Sequence, residues 1–266
     1  MYSSMLYNFI RSIKNSKKKI NLEEIHQLEK IERCTQISFS SGKLLKYLKL
    51  TEWKSEEISP LFPYVLITHL QFSIVNDKKF PFPPFGLIHK NEKIQCLKPL
   101  VHGVWQVKMS VDTYRILETG VELDFKTELW INDELSWISI TTAFKKLKTK
   151  IRKNEKRDEI TSSNVFWTIP NGFGVKYGLL SLNIDPIHMF NFTAKMMGHK
   201  CAIIHGMWTV ARGLSEFQNI EYPLNINARF ISPIYLPAKV MFVRRSDGFS
   251  VYSEDGKRAH VTVDFK

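Results

Sequence analysis

Apolar residues in this chain come in long stretches separated by short polar breaks, and their spacing changes along it. Leu61 to Val75 is apolar almost without interruption, which predicts a helix buried on every side rather than an amphipathic one. Phe80-Pro81-Phe82-Pro83-Pro84-Phe85-Gly86 follows, and no helix continues through it, because each proline removes an amide donor and fixes φ. Three strand-like stretches come next: Val104 to Ile116, Gly120 to Ile131 and Leu135 to Phe144. Gly120 and the pair Asn132-Asp133 supply the turns between them.

Lys145 to Ser163 is lysine-rich, lacks aromatic residues and reads as a linker. Beyond it, Asn164 to Thr168 reads as a strand, Tyr177 to Leu182 as a short helix and Pro186 to Met197 as a second helix. Asp185 stands where a cap belongs, with Pro186 at the first helical position and Gly198 just past the end. A third, apolar helix is predicted from about His205 to Glu216. Strands follow at Ile226 to Ile231, Ala238 to Arg244, Phe249 to Ser253 and His260 to Phe265, with Ser246-Asp247-Gly248 and Asp255-Gly256 as hairpin turns. In each half an apolar helix precedes several antiparallel strands. The pattern predicts an α+β fold of two sheets, each wrapped round a helix and able to pair edge to edge as an internal dimer.

The composition, 44% hydrophobic over 266 residues, is enough for one large core or two smaller ones. A net charge of +12 raises the question of nucleic acid, and its location answers it. Residues 1–22 carry Arg11, Lys14, Lys17, Lys18 and Lys19 with no acid, and residues 145–157 carry eight cations against Glu155. Those two segments hold the whole excess, in a leader and a connector rather than on a folded face with stacking aromatics, so no nucleic-acid partner is expected. Cys34, Cys96 and Cys201 are scattered, forming neither a disulfide framework nor a zinc signature, which fits a reducing, cytoplasmic setting. No run of eighteen apolar residues predicts a membrane span. Leu6, Phe9, Ile10 and Ile13 make one apolar stripe within residues 1–19, with cations behind it. That stripe suits contact with a membrane surface, an organelle-targeting leader, or a solvated tail docked on the body.

Two stretches point to chemistry. The first is Tyr177-Gly178-Leu179-Leu180-Ser181-Leu182-Asn183-Ile184-Asp185-Pro186-Ile187-His188, and the second is Ile203-Ile204-His205-Gly206-Met207-Trp208. In order and spacing they resemble the signature of the MaoC-like, R-specific enoyl-CoA hydratases: Ser-Gly-Asp-x-Asn-Pro-(Ile/Leu/Val)-His, then Ala-His-Gly-Met. Phe82 to Asn91, with Gly86-Leu87-Ile88-His89, resembles the degenerate first unit of double members. The resemblance implies a double hot-dog fold, with a basic leader at 1–22, a degenerate unit at 23–144, a linker at 145–163 and a MaoC-like unit at 164–266. It also implies interconversion of enoyl and 3-hydroxyacyl thioesters carried on CoA or acyl carrier protein, with no metal or redox cofactor. A monomer with an internal pseudo-dimer, or a homodimer, would serve.

Hydration of an enoyl thioester needs a base for the water, a proton for the α-carbon and donors for the developing enolate oxygen. A neutral imidazole suits the first task, and amides at a helix N-terminus suit the last. On the family pattern His188 is the catalytic base and the Gly206 amide polarises the carbonyl, glycine allowing the substrate close to the backbone. Ser181, His205 and Met207 are further substrate-contact positions, and the helix Leu61 to Val75 would wall an acyl tunnel. His205 could equally serve its own helix turn, while Met207 and Trp208 have ordinary core roles open to them. The family's catalytic aspartate falls on Asn183 here, and its asparagine falls on Asp185. Asn183 holds a water but accepts no proton, and Asp185 reads first as a helix cap. Leu182 replaces the family's glycine. A catalytically impaired protein that binds an acyl thioester or a protein partner is therefore the alternative expectation.

Overall fold

A computed structural model describes residues 30–147, 165–217 and 219–266. The leader and residues 148–163 of the linker lie outside the described residues. Among the described residues, ten strands form one antiparallel sheet: β1 (Ile31–Ile37), β2 (Leu87–Cys96), β3 (Trp105–Leu117), β4 (Gly120–Ile131), β5 (Glu134–Lys146), β6 (Val165–Ile169), β7 (Leu224–Phe230), β8 (Ala238–Arg245), β9 (Gly248–Ser253) and β10 (Ala259–Phe265). Their order, β1-β3-β4-β5-β2-β7-β10-β9-β8-β6, is one five-strand pattern met twice and reversed at the centre. The halves join where β2 pairs with β7, from Asn91 opposite Arg229 to Cys96 opposite Leu224.

Local chemistry explains the strand ends. Asn132 and Asp133 both take positive φ, at 53° and 60°, the conformation a two-residue hairpin requires and Asn and Asp tolerate. Inward positions along β4 are apolar except for the buried Thr127, and Trp137 on β5 donates from Nε1 to Pro60 O at 2.8 Å, tying the sheet to the helix entry. Helix α2 (Phe62–Val75), with α1 (Ser41–Thr51) before it, fills the first half, and ten of its fourteen residues are buried. In the second half α3 (Phe173–Ser181), α4 (Pro186–Met189) and α5 (Asn191–Met196) lead to α6 (Gly206–Leu214), whose residues from Met207 onward are all buried. Among the described residues the main hydrophobic core runs through both halves, and Met241, Val243 and Tyr252 form a small second cluster.

Four features differ from expectation. The predicted helix Pro186 to Met197 is two helices broken at Phe190, which is extended at φ −141° and ψ 150°. The Thr193 hydroxyl returns across the break to Pro186 O at 2.6 Å, and Asn191 Oδ1 accepts from the Ala202 amide at 2.9 Å, so side chains hold the kink. The third helix starts at Gly206, because His205 is its cap residue with extended backbone. Strand β5 continues to Lys146, two residues into the stretch read as linker, and Lys145 Nζ donates to Phe85 O at 2.8 Å. Finally, β1, α1 and β2 form where no element was predicted.

Candidate functional site

Helix α3 shapes the site through two glycines four residues apart, one above the other on a helix face. A Cβ at Gly174 would lie 2.4 Å from His188 O, and one at Gly178 would lie 2.7 Å from Asn183 O and 3.3 Å from His205 Cε1. That bare face lets the loop from Leu182 to His188 lie flat on the helix. Leu182 turns the chain out of α3 at φ 57° and ψ 23°, a left-handed conformation costly for leucine. The family's glycine would adopt it freely.

His188 and His205 meet over this face. Their rings stack with centroids 3.7 Å apart and planes inclined by 25°. His188 Nδ1 donates to Ile203 O at 2.9 Å, which fixes the tautomer and leaves Nε2 as an acceptor. His205 is buried, donates from Nε2 to Asn183 O at 3.2 Å, and its Nδ1 has no partner. Burial pushes the His188 pKa below its usual value, opposed by Asp185 and by the bond to Ile203. His205 is driven well below the usual value, by burial first and by His188 second. Both rings are therefore neutral at pH 7.

Among the other predicted residues, Asp185 caps α4, its Oδ1 accepting from the Ile187 amide at 3.2 Å, and it stands within electrostatic reach of His188. Asn183 Oδ1 folds back to accept from the Asp185 amide at 3.2 Å. Ser181 donates to Tyr177 O at 2.9 Å and is buried. Met207 is buried in the core, as is Trp208, whose Nε1 donates to Leu50 O at 2.8 Å. Gly206 begins α6, so its N–H has no acceptor one turn back in the helix. The space at its Cα differs from expectation: an added Cβ would lie 2.6 Å from Phe230 Cδ1 and Cε1. The ring of Phe230 therefore packs against the Cα side of Gly206. Helix α2 is a packed core element, and Tyr64 in its first turn stacks on His89 with ring centroids 6.0 Å apart.

A second constellation escaped the sequence reading. His89 Nε2 lies 3.0 Å from Glu92 Oε2, which also accepts from Thr141 Oγ1 at 2.7 Å, and Glu92 is fully buried with Oε1 unpartnered. Residues three apart on a regular strand face opposite ways, but a bulge between His89 and Asn91 shifts the parity and puts both on one side. The His89 ring sits 4.4 Å from Phe230, so this pair backs the ring that covers Gly206. An isolated bulge leaves no readable mark in a sequence. On the other face of α3, an open groove of about 1090 Å³ runs between α1, β6 and α6, with Lys43, Lys46 and Lys176 on its rim and Phe173, Leu182 and Trp208 below. Among the described residues, no three His, Cys, Asp or Glu side chains gather as a metal site, and no helix is long and apolar enough to cross a membrane.

No protein-family model matches the chain. It is 24% identical over 223 residues to 3-hydroxyacyl-thioester dehydratase X of Mycobacterium tuberculosis, covering 80% of this chain and 79% of that one. The crystal structure of that protein, HtdX, superposes with a TM-score of 0.76 at 20% identity, covering 88% of this chain and 98% of the other. A MaoC-like dehydratase from Phytophthora capsici matches with a TM-score of 0.71 at 19% identity, over 92% and 97% of the two chains. The fold is thus the double hot-dog of the MaoC-like dehydratases, as the two sequence stretches implied.

Proposed function

We propose that this protein interconverts enoyl and 3-hydroxyacyl thioesters, with His188 as the base. The observation that carries the reading is the neutral His188 ring, held by Ile203 O and stacked on His205, the cap residue of α6. In hydration, His188 Nε2 takes a proton from water as the oxygen bonds to the β-carbon. The double-bond electrons move to the thioester oxygen, and the Gly206 N–H stabilises the enolate. The imidazolium then supplies the proton that the α-carbon takes up. Dehydration runs the same steps backwards. Asn183 positions the water through its side-chain amide, and Asp185, near His188, favours the imidazolium while it lasts. His205 orients the loop through Asn183 O.

The lysine-rimmed groove with its apolar floor suits a carrier arm bearing phosphate, on CoA or on acyl carrier protein. No metal or redox group enters these steps. Asn183 favours the alternative, a protein that binds an acyl thioester or a protein partner with little turnover, because a positioned acid or base contributes about 100- to 10,000-fold in rate. Hydration of enoyl thioesters on CoA and on acyl carrier protein, by wild type and Asn183→Asp, separates the two. The proposal expects wild-type turnover on at least one carrier and a gain of about tenfold or more for Asn183→Asp. An inert wild type rescued by Asn183→Asp supports the binder, and two inert proteins refute both the reaction and its site.

A further inference from the structure

The kinked segment after His188 displays apolar side chains that the fold leaves uncovered. Phe190 is 59% exposed, Phe192 72% and Met196 72%, with Met197 exposed beside them, all within eight consecutive residues. The segment is well anchored: Asn191 Oδ1 accepts from the Ala202 amide, Thr193 bonds to Pro186 O, and Gly198 closes α5 at φ 85°. These residues are therefore held outward by native hydrogen bonds. Soluble proteins seldom gather large apolar groups this way without something to cover them.

Charge indicates what covers them. From Val165 to Ser215 the only acid is Asp185, whose carboxylate is engaged in capping α4. The segment itself carries two exposed cations, Lys195 and Lys200. A second copy of the chain is a poor occupant, because a twofold contact here would press Lys195 and Lys200 against their equivalents. Aromatic and methionine side chains projecting from short helices, with lysines among them and almost no acid, match an anionic bilayer surface. There the apolar groups enter the headgroup boundary and the cations meet lipid phosphates.

We propose that the α4–α5 face docks the protein on anionic lipid, a role independent of the reaction proposed above. The test is sedimentation of the full chain with vesicles of phosphatidylcholine alone, or of phosphatidylcholine and phosphatidylglycerol in equal parts. Wild type is compared with Phe190→Ser/Phe192→Ser/Met196→Ser and with Lys195→Glu/Lys200→Glu. The expected result is binding only to the phosphatidylglycerol vesicles, weakened about tenfold or more in partition by either variant and reduced by salt. All five positions are exposed, so thermal unfolding should stay at the wild-type temperature. Failure of wild type to bind anionic vesicles overturns the proposal, as does equal binding to neutral ones. Variants that bind like wild type would also overturn it, assigning the binding elsewhere, such as to the basic residues before Lys30. Self-association abolished by the triple substitution, without vesicle binding, would give the face to a second copy instead.

Discussion

Gly206→Ala is predicted to destabilise the protein because of Phe230, and removing the ring should undo the damage. The new methyl carbon would lie 2.6 Å from two ring carbons and 3.4 Å from a third. Ordinary contact begins near 3.4 Å, so the ring must retreat by about 1 Å. It cannot do so freely, because the His89 ring stands 4.4 Å behind it and is held by the buried Glu92. Overpacking of this kind costs about 1–3 kcal/mol, and alanine at the first helical position returns only a fraction of that. Each kcal/mol lowers Tm by about 2–4 °C in a chain of this size. In the double variant Gly206→Ala/Phe230→Ala the clash is absent, so its stability should match that of Phe230→Ala alone. The coupling read by thermal or urea unfolding is then about 1–3 kcal/mol. The kcat/KM for enoyl hydration should recover towards the Phe230→Ala value along with stability. Penalties that add to within about 0.5 kcal/mol would refute the packing argument. A stable double variant that stays as inactive as Gly206→Ala would show that substrate, not Phe230, demands the glycine.

Two further predictions concern Leu182 and pH. Leu182→Ala loses a buried side chain and keeps the left-handed backbone, for a loss of about 2–4 kcal/mol. Leu182→Gly relieves about 1–2 kcal/mol of that backbone cost, so urea unfolding should find it at least as stable as the alanine variant; a glycine variant weaker by about 1 kcal/mol would contradict the assigned conformation. Because burial holds His188 below the usual histidine pKa, its neutral, basic form persists as pH falls past about 6.5, and the acid limb of kcat/KM should lie below that value. The same depression in His188 and His205 means the unfolded chain binds protons first. Their contribution to stability is present above about pH 6.5 and is lost as pH falls towards the folded-state values. An acid limb centred at or above 6.5 would contradict the burial of His188.

Hydrophobic patterning located much of the fold, and the reasons for its failures are physical. Leu61 to Val75 was legible because a helix apolar on all sides has only one place to go, and Asn132-Asp133 because few residue pairs accept two positive φ values. Strand β2 was missed: its residues from Leu87 to Lys93 alternate poorly, since Glu92 occupies an inward position that patterning reserves for an apolar side chain. The break at Phe190 rests on Thr193 and Asn191 reaching partners outside their own turn, and local propensity does not register such bonds. In the site, the cap at Asp185 was legible from the Asp-Pro pair, whereas the stacking of His188 on His205 was not. Nothing in the motif spacing pointed to the ring of Phe230 over Gly206, because that contact joins residues 24 apart through a strand at the seam of the two halves.

The most direct measurement is steady-state hydration of a short-chain enoyl-CoA by wild type and His188→Ala, followed by loss of the enoyl absorbance. The account predicts that His188→Ala folds with near wild-type circular dichroism and loses about 100- to 10,000-fold in kcat. A folded His188→Ala enzyme that turns over at the wild-type rate would contradict it.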